Sequence, residues 1–295
     1  MGKISKALER AEEERLKHLE AIRNASSITP ERSSESETGN GLLEFPTRVE
    51  SSHEGLVAVM EPPEAPSMKV IPETAIDERV VTLFDPRSPV SEQYRILRTN
   101  LLSLRPGKPM KVVMLSSAVH SEGKTVSAVN LAVTMANDTH QRRVLLIDAD
   151  LRAGTVHRLF GDGQKLGLSD CLAKGVPWQE VLVGTPIANL MILPRGATPP
   201  YPAELLASGK MRQLMAEVRA AFDFCILDSP PVVPLTDPSI LGGLTDGVVL
   251  VVRGGKTQRT MVQYAISLLA QARVPTLGCI LTHMETHVPE YIYRY

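Results

Sequence analysis

The segment 116–125 has the residue types and spacing of a phosphate-binding loop. It reads Ser-Ser-Ala-Val-His-Ser-Glu-Gly-Lys-Thr and lies between an apolar run, 112–115, and a stretch of helical periodicity. A loop between a strand and a helix directs backbone N–H groups and the positive end of the helix dipole at phosphate oxygens. Lys124 would reach the β- and γ-phosphates, and the Thr125 hydroxyl would ligate Mg²⁺. The residues expected to contact a nucleotide here are Ser121, Glu122, Gly123, Lys124, Thr125 and Val126.

This loop departs from the usual G-x-x-x-x-G-K-[ST] pattern at its first position. Ala118 stands where the pattern has its first glycine. Taken alone, the segment is also compatible with a chance succession of strand, turn and helix that contains one lysine. A nucleotide site therefore needs independent support from the rest of the chain.

Two acidic motifs supply that support, because each follows an apolar run. One reads Asp148-Ala149-Asp150-Leu151-Arg152, and the other reads Asp228-Ser229-Pro230-Pro231. Ligands of parallel sheets bind at the carboxyl ends of strands, where carboxylates suit the oxygen preference of Mg²⁺. Each aspartate alone could instead cap a following helix. Three motifs in this order favour a magnesium-nucleotide site, for which the expected metal ligands are Thr125, Asp150 and Asp228.

Strands and helices alternate along most of the chain. Apolar runs such as 144–147 and 248–252 lack the alternation of a half-exposed strand and therefore predict strands covered on both faces. The alternation predicts a doubly wound, mostly parallel α/β sheet with helices on both faces. After the loop, the expected strands are 143–147, 189–193, 224–227, 247–252 and 276–282, and the expected long helices are 211–222 and 261–272.

Composition divides the chain into four parts. The first has helical periodicity and charges of both signs, which suits either docking to a partner or exposure to solvent. The second is rich in Ser, Glu, Thr, Gly and Pro, which is typical of a flexible linker. The four expected parts are an amphipathic helix, 1–24; a linker, 25–75; a P-loop domain, 76–287; and a tyrosine-rich tail, 288–295.

Composition also limits the classes of function. The 295 residues have a formal net charge of −1, without the basic surplus of a nucleic-acid-binding protein. Three dispersed cysteines without a C-x-x-C motif predict neither disulfides nor a zinc site. Together these features indicate a reducing, cytoplasmic setting. No apolar run approaches the roughly 18 residues of a membrane span, so we expect no transmembrane helix.

A helical segment, 91–102, precedes the phosphate loop. Glu92, Arg95 and Arg98 recur along one of its sides, apolar residues form the other, and Ser91 is the expected N-cap. The charged side is typical of a solvated helix edge. Acid and base on one ridge can also pair with the same helix of a neighbouring subunit.

The end of the chain concentrates tyrosines. Of six tyrosines, Tyr291, Tyr293 and Tyr295 lie in the last five residues, after Pro289. On an edge strand these rings would point to one side of a sheet. On a mobile chain end they could instead enter the site of a neighbouring subunit.

Together, these motifs resemble those of the bacterial tyrosine autokinases of the polysaccharide co-polymerase group, which are related by fold to the MinD/ParA ATPases. The resemblance covers about residues 76–295 and rests on the loop, both aspartate motifs, the Glu92-x-x-Arg95-x-x-Arg98 helix and the tail. The start of the chain is also similar to kinases encoded beside exosortase-type exopolysaccharide loci. Val119 stands where membrane-partitioning MinD/ParA ATPases carry an additional lysine, which disfavours that branch.

The resemblance implies phosphoryl transfer from ATP, with Mg²⁺, to tyrosine. Lys124 would stabilise charge on the transferred group, and Asp148 would orient or deprotonate the phenol, whose ordinary pKa is near 10. Asp150 would serve the metal or support its ligands, although the roles of these two aspartates could be reversed. Arg152 would contact phosphate or a neighbouring subunit.

The resemblance also implies an assembly and a pathway. Glu92, Arg95 and Arg98 would lie at the interface of a ring-like homo-oligomer, in which the tail tyrosines are phosphorylated in trans. A separate membrane chain-length regulator would recruit the kinase to the inner face of the plasma membrane and activate it through a cytoplasmic segment. A tyrosine phosphatase would act as a further partner, and the process regulated would be exopolysaccharide polymerisation or export.

Two alternatives remain open from the sequence. One is a MinD-like regulatory ATPase that switches assembly without phosphorylating tyrosine. The other is a nucleotide-gated scaffold whose oligomeric state controls its partner.

Overall fold

The computed structural model describes residues 69–104, 109–161 and 166–284. The expected N-terminal helix, the linker up to residue 68 and the tail that holds Tyr291, Tyr293 and Tyr295 lie outside these ranges.

A seven-stranded sheet occupies the centre of the described residues. Its strands are β1 (Val112–Ser117), β2 (Val144–Asp148), β3 (Val183–Gly184), β4 (Leu190–Leu193), β5 (Phe224–Asp228), β6 (Gly247–Arg253) and β7 (Thr276–Thr282). They lie in the order β3-β4-β2-β5-β1-β6-β7, and every neighbouring pair is parallel except β3 and β4. The expected mostly parallel sheet is confirmed, with the antiparallel two-residue β3 as an addition that the sequence pattern did not predict.

Helices cover both faces of this sheet, as expected. They are α1 (Val81–Phe84), α2 (Pro89–Ser103), α3 (Lys124–Ala136), α4 (Val156–Leu159), α5 (Leu168–Lys174), α6 (Pro202–Leu206), α7 (Gly209–Ala221), α8 (Asp237–Gly242) and α9 (Arg259–Gln271). Residues of α1 to α4 pack in one apolar core, and residues of α5 to α9 pack in the other. Among the described residues, no helix combines the length and the hydrophobicity that a bilayer span requires.

The central strands are buried on both faces, which explains their continuous apolar sequence. All six residues of β1 are buried. Val112 and Met114 belong to one core, and Val113 and Leu115 belong to the other. Successive side chains of a strand point to opposite faces, so both faces of β1 need apolar residues.

Helix α2 begins earlier than the sequence pattern predicted. Its N-cap is Ser88, whose Oγ accepts a hydrogen bond from the N–H of Ser91 at 3.2 Å. Pro89 occupies the first helical position, where its missing N–H is harmless and where it keeps the preceding residue extended. The expected cap, Ser91, is therefore wrong, and its hydroxyl instead donates to the carbonyl oxygen of Asp85 at 2.7 Å.

Packing against the sheet starts before residue 76, where the domain was expected to begin. The N–H of Ile71 donates to the carbonyl oxygen of Gly184 on β3 at 3.0 Å, and Ile71 is buried. Val70 also forms an isolated parallel bridge with Gly184. Val70 and Ile71, which were expected to be part of the linker, thus pair with the edge strand of the sheet.

Candidate active site

Sheet topology brings the three predicted motifs together at the carboxyl ends of the central strands. Strand β5 lies between β1 and β2, so the carboxyl ends of all three are adjacent. Asp148 and Asp228, the last residues of β2 and β5, are directly opposite each other in the register. The phosphate loop leaves the end of β1 and leads into α3. The predicted convergence of Lys124, Asp148 and Asp228 is present.

The loop backbone turns sharply before α3. Gly123 has a φ of 89°, in the left-handed region, and α3 begins at Lys124. Ser121 also has a positive φ, of 61°. Glycine adopts this region more readily than a residue with a Cβ, so Gly123 suits the point where the loop becomes a helix. The Thr125 hydroxyl, in the first turn of this 13-residue helix, donates to Asp228, so the helix N-terminus lies beside the aspartates.

Lys124 is surrounded by carboxylates. Its Nζ lies 3.3 Å from Oδ2 of Asp150, and its side chain is 16% exposed. Burial acts to lower the pKa of Lys124, but the charges of Asp228, Asp150 and Asp148 raise it above the ordinary value. The ammonium is therefore charged at neutral pH and held beside the loop.

Asp228 is fully buried beside the first turn of α3. Its Oδ2 accepts a hydrogen bond from the Thr125 hydroxyl at 2.7 Å. Its Oδ1 is buried and has no hydrogen-bond partner within the described part of the chain. Burial raises the pKa of Asp228 to about 6, although Lys124 and Thr125 act in the opposite direction.

Asp148 is buried equally deeply on the neighbouring strand. Its Oδ2 accepts a hydrogen bond from the N–H of Val156 at 3.2 Å, whereas its Oδ1 has no partner among the residues that the structure describes. A Cβ at Gly154 would lie 2.1 Å from this Oδ1, so only glycine fits there. Burial, and next the charge of Asp228, raise the pKa of Asp148 well above its usual value.

Asp150 is held more firmly than Asp148. Its Oδ1 accepts hydrogen bonds from the N–H groups of Ala153 at 2.9 Å and Arg152 at 3.3 Å, and its Oδ2 faces Lys124. The two aspartates of this motif therefore differ, because Asp148 offers a free buried oxygen and Asp150 does not.

This group of oxygens fits a magnesium ion bound together with a nucleotide. Across residues 69–104, 109–161 and 166–284, no group of three or more His, Cys, Asp or Glu is arranged to hold a metal by itself. Mg²⁺ is usually held by one or two carboxylates, waters and substrate phosphates. The Thr125 hydroxyl matches that requirement, and so do the oxygens of Asp148 and Asp228 that lack a partner among the described residues. Of the predicted ligands, Thr125 and Asp228 are available, and Asp150 is engaged by Lys124.

Arg152 contacts an acidic residue that the sequence analysis missed. Its Nε and a terminal guanidinium nitrogen donate to the two oxygens of Asp237 at 2.8 and 3.0 Å. Asp237 is completely buried at the start of α8. The motif Thr236-Asp237-Pro238 predicts only a helix start, so no sequence signal indicated this pair. Arg152 remains partly exposed at the edge of the site.

The remaining predicted loop residues divide into two groups. Ser121 and Gly123 form the loop backbone, and Val126 lines a cavity of about 150 Å³ with Thr125. Arg79, Thr155, Arg158 and Leu159 complete the lining of this cavity. Glu122 differs, because its side chain is buried and bonded to the end of β6. Any contact of Glu122 with a nucleotide must therefore use its backbone.

The charged ridge of α2 is only partly available for an interface. Glu92 pairs with Arg95, and Arg95 also donates to the carbonyl oxygen of Pro86. Arg98 turns inward, where it donates to the carbonyl oxygen of Thr134 on α3 at 3.0 Å and is 21% exposed. Arg98 thus holds α2 against the helix that starts at the phosphate loop. The exposed part of the ridge consists of Glu92 and Arg95.

Comparison with known proteins identifies the family. A family model described as an AAA domain matches residues 110–257. The chain is 40% identical over 206 residues to the tyrosine-protein kinase YwqD of Bacillus subtilis, covering 70% of this chain and 86% of that protein. This chain belongs to the bacterial tyrosine-protein kinases. The resemblance drawn from its motifs, and the protein-tyrosine kinase activity that it implied, are confirmed.

Solved structures agree with this family. The kinase domain of the Escherichia coli tyrosine kinase ETK is similar with a TM-score of 0.66 and 30% identity, covering 71% of this chain and 82% of that chain. The MinD protein of Pyrococcus horikoshii, complexed with Mg-ADP, is similar with a TM-score of 0.50 and 22% identity, covering 62% of this chain and 76% of that one. The likeness to MinD shows the fold, and it confirms the expected relation between this kinase fold and the MinD ATPases.

The raised pKa of Asp228 gives the kinase without nucleotide a defined pH dependence. The folded state binds this proton more tightly than the unfolded state, so the free energy of unfolding falls as the pH rises from 3.8 through about 6. A shift of two pKa units corresponds to about 3 kcal/mol. The quantity to compare is the unfolding free energy of the wild type minus that of Asp228→Asn. We expect this difference to decrease by this amount between these pH values. Urea titrations at each pH measure it.

Asp223→Asn provides a control of opposite sign. Hydrogen bonds from Arg143 lower the pKa of Asp223, so this carboxylate stabilises the fold above its unfolded pKa and loses that effect as the pH falls. The corresponding difference for Asp223→Asn should therefore rise with pH. A wild-type minus Asp228→Asn difference that stays flat or rises would contradict the burial argument.

Proposed function

We propose that this kinase transfers the γ-phosphoryl group of MgATP to tyrosines of its own C-terminal tail, in trans within an oligomer, and thereby regulates exopolysaccharide polymerisation or export. The observation that carries the proposal is the gathering of one lysine and three carboxylates beside the phosphate loop. Lys124 lies 3.3 Å from Asp150, and Asp148 and Asp228 face each other across adjacent strands.

In this proposal, the loop and Lys124 position the nucleotide. Backbone N–H groups before α3, together with the helix N-terminus, bind phosphate oxygens. The Lys124 ammonium is already oriented by its neighbouring carboxylates, so it stabilises charge on the transferred group with little reorganisation. Thr125 and Asp228 would hold Mg²⁺, which when bound would neutralise phosphate charge.

Asp148 is the proposed base for the tyrosine hydroxyl. A phenol has an ordinary pKa near 10, so a carboxylate with a raised pKa is better matched to accept its proton. Burial raises the pKa of Asp148, and its Oδ1 is unpartnered within the described ranges. Asp150, held by backbone N–H groups and by Lys124, has the role of a fixed counter-charge. Arg152 is proposed to contact phosphate from its partly exposed position beside Asp237.

The tail supplies the proposed acceptors. Replacing Tyr291, Tyr293 and Tyr295 together with phenylalanine should remove most phosphotyrosine from protein incubated with MgATP, because the tail then lacks hydroxyls. ATP binding should be unchanged, since the loop and its carboxylates are intact. Quantitative phosphotyrosine blots, with binding measured separately, test this result.

Two exposed tyrosines outside the tail provide matched controls. Tyr201 is 67% exposed and Tyr264 is 51% exposed, and phenylalanine at either should leave phosphotyrosine at the wild-type level. Mixing Lys124→Met chains, which keep the tail, with the tail variant separates trans from cis transfer. Phosphotyrosine should form only in the mixture. Abundant phosphotyrosine on the tail variant alone would show that the acceptors lie elsewhere.

The proposal extends to partners. Oligomers would form through the exposed Glu92–Arg95 part of α2, with Arg98 fixing that helix to α3. A separate membrane chain-length regulator would recruit the kinase to the inner face of the plasma membrane and activate it through a cytoplasmic segment, and a tyrosine phosphatase would reset the tail. Adding that segment to purified kinase should increase the rate of phosphotyrosine formation, and no increase would remove the regulator from the proposal.

A further inference from the structure

The buried carboxylate of Glu122 joins the phosphate loop to the end of the neighbouring strand. The residue is 1% exposed. Its Oε2 accepts a hydrogen bond from the N–H of Val119 within the loop, at 2.9 Å. Its Oε1 accepts from the N–H of Arg253, the last residue of β6, at 3.3 Å, and also from the hydroxyl of Thr257. Three donors from two segments thus converge on one carboxylate.

The end of β7 contacts the same residue from its backbone side. The Thr282 hydroxyl donates to the carbonyl oxygen of Glu122 at 2.8 Å. The Thr282 methyl lies 3.5 Å from the position that a Cβ at Gly123 would take. The loop therefore rests on the ends of β6 and β7, and the Glu122 side chain makes the connection to β6.

A negative charge at this place needs a physical explanation. Glu122 immediately precedes the Gly-Lys-Thr segment that would bind phosphate, so its charge opposes the binding of an anionic nucleotide. Its bonds provide the explanation, because a carboxylate accepts from all three donors. A glutamine amide would turn an NH₂ group towards at least one of them. Hydrogen bonds to an ionised acceptor are also stronger than neutral ones.

We propose that Glu122 is a positioning residue for MgATP, holding the phosphate loop in its binding conformation by bonding it to the end of β6. This inference rests on the proposed function only in taking MgATP as the ligand of the loop. The carboxylate acts through the loop backbone and does not contact the nucleotide. The bond to Val119 fixes an N–H group of the loop backbone itself.

The sign of one binding measurement tests the proposal. If charge alone mattered, Glu122→Gln would strengthen MgATP binding, because it removes a negative charge beside the phosphates. Positioning predicts the reverse, and we expect the dissociation constant to rise about tenfold, the effect of losing one strong hydrogen bond in the loop. Isothermal titration of the full chain with MgATP, at a temperature where circular dichroism shows it folded, gives this constant.

Thr257→Val removes one donor of the same group and is a milder change. We expect a smaller rise of the MgATP dissociation constant, and Glu122→Gln combined with Thr257→Val should bind more tightly than two independent effects predict, because both act through one contact. If Glu122→Gln does not fold, Thr257→Val alone decides. Unchanged affinity in a folded Thr257→Val protein would then overturn the proposal.

Asp246→Asn is a matched control at the other end of β1. Asp246 accepts hydrogen bonds from the N–H groups of Lys111 and Val112 at 2.8 and 2.9 Å, so it also fixes backbone with a carboxylate. This variant should unfold at a lower temperature but bind MgATP like the wild type. If the wild type binds MgATP and Glu122→Gln binds it equally tightly or more tightly, the positioning proposal is wrong and the proposed function is unaffected. A wild type that does not bind MgATP overturns the proposed function as well.

Discussion

Lys124→Met is expected to slow tyrosine phosphorylation by about a thousandfold, the effect of removing a preorganised cation from a site where phosphoryl charge develops. In the structure this ammonium lies 3.3 Å from Asp150 and is held by three acidic neighbours. Methionine keeps most of the length of the side chain and removes its charge and its hydrogen-bond donors. Initial rates of phosphotyrosine formation at saturating MgATP measure the effect.

The same substitution at Lys111 provides the control for Lys124→Met. Lys111 precedes β1 at the opposite end of the strand, where its Nζ donates to the carbonyl oxygen of Arg219 at 3.3 Å. Lys111→Met should phosphorylate tyrosine at nearly the wild-type rate. Similar rates for the two variants would show that Lys124 does not act on the transferred group, whatever its effect on folding.

Removing this cation has a second consequence for the site. Lys124 is the main group that lowers the pKa of Asp228 against the effect of burial. Without it, three adjacent carboxylates lose the ammonium that lies beside them, and their protonated forms are favoured. Lys124→Met should therefore shift the pH dependence of stability that Asp228 produces to higher pH. The charge at Lys124 serves both the proposed chemistry and the integrity of the site.

The sheet and the convergence of the motifs could be predicted because they depend on local patterns. Continuous apolar runs predicted the central strands, since a strand that is buried on both faces needs apolar residues at every position. Parallel strands place their carboxyl ends on one edge, so aspartates that follow different runs had to meet there. The register that sets Asp148 opposite Asp228 is one result of this rule.

Contacts between distant segments could not be predicted in the same way. The bond of Arg152 to Asp237 spans 85 residues, and that of Glu122 to Thr257 spans 135. Neither Asp237 nor Thr257 belongs to the motifs from which the site was predicted, and their partners depend on where α8 and the end of β6 lie. Arg98 shows the same limit, because helical spacing placed it on the charged ridge whereas packing against α3 turned it inward.

The predicted start of helix α2 was wrong for a more local reason. Ser88 and Ser91 are both suitable caps by composition, and Pro89 between them decides in favour of the first. Val70 pairs with Gly184 although it lies in a segment whose composition is that of a linker. Pairing with a sheet edge gave this segment its structure, which its own sequence did not predict.

Asp148→Asn is expected to stabilise the kinase while it removes most activity. At neutral pH the wild type must hold Asp148 in a site that raises its pKa through burial and the charge of Asp228. Above the unfolded pKa of 3.8, a raised folded pKa reduces stability. A neutral asparagine avoids this effect and can still accept from the N–H of Val156. We expect a gain of about 1–3 kcal/mol in urea unfolding at pH 7.

The same variant distinguishes the two aspartates as the proposed base. Loss of a general base slows reaction by about 10²–10⁴-fold and removes the acidic limb of the pH–rate profile, so Asp148→Asn should show both effects. Asp150→Asn removes the counter-charge 3.3 Å from Lys124 and should destabilise the fold. If Asp150→Asn flattens the acidic limb and Asp148→Asn keeps it, their roles are reversed. The unfolding free energy should rise in Asp148→Asn and fall in Asp150→Asn. Measuring it alongside the rates therefore distinguishes a folding defect from a catalytic one.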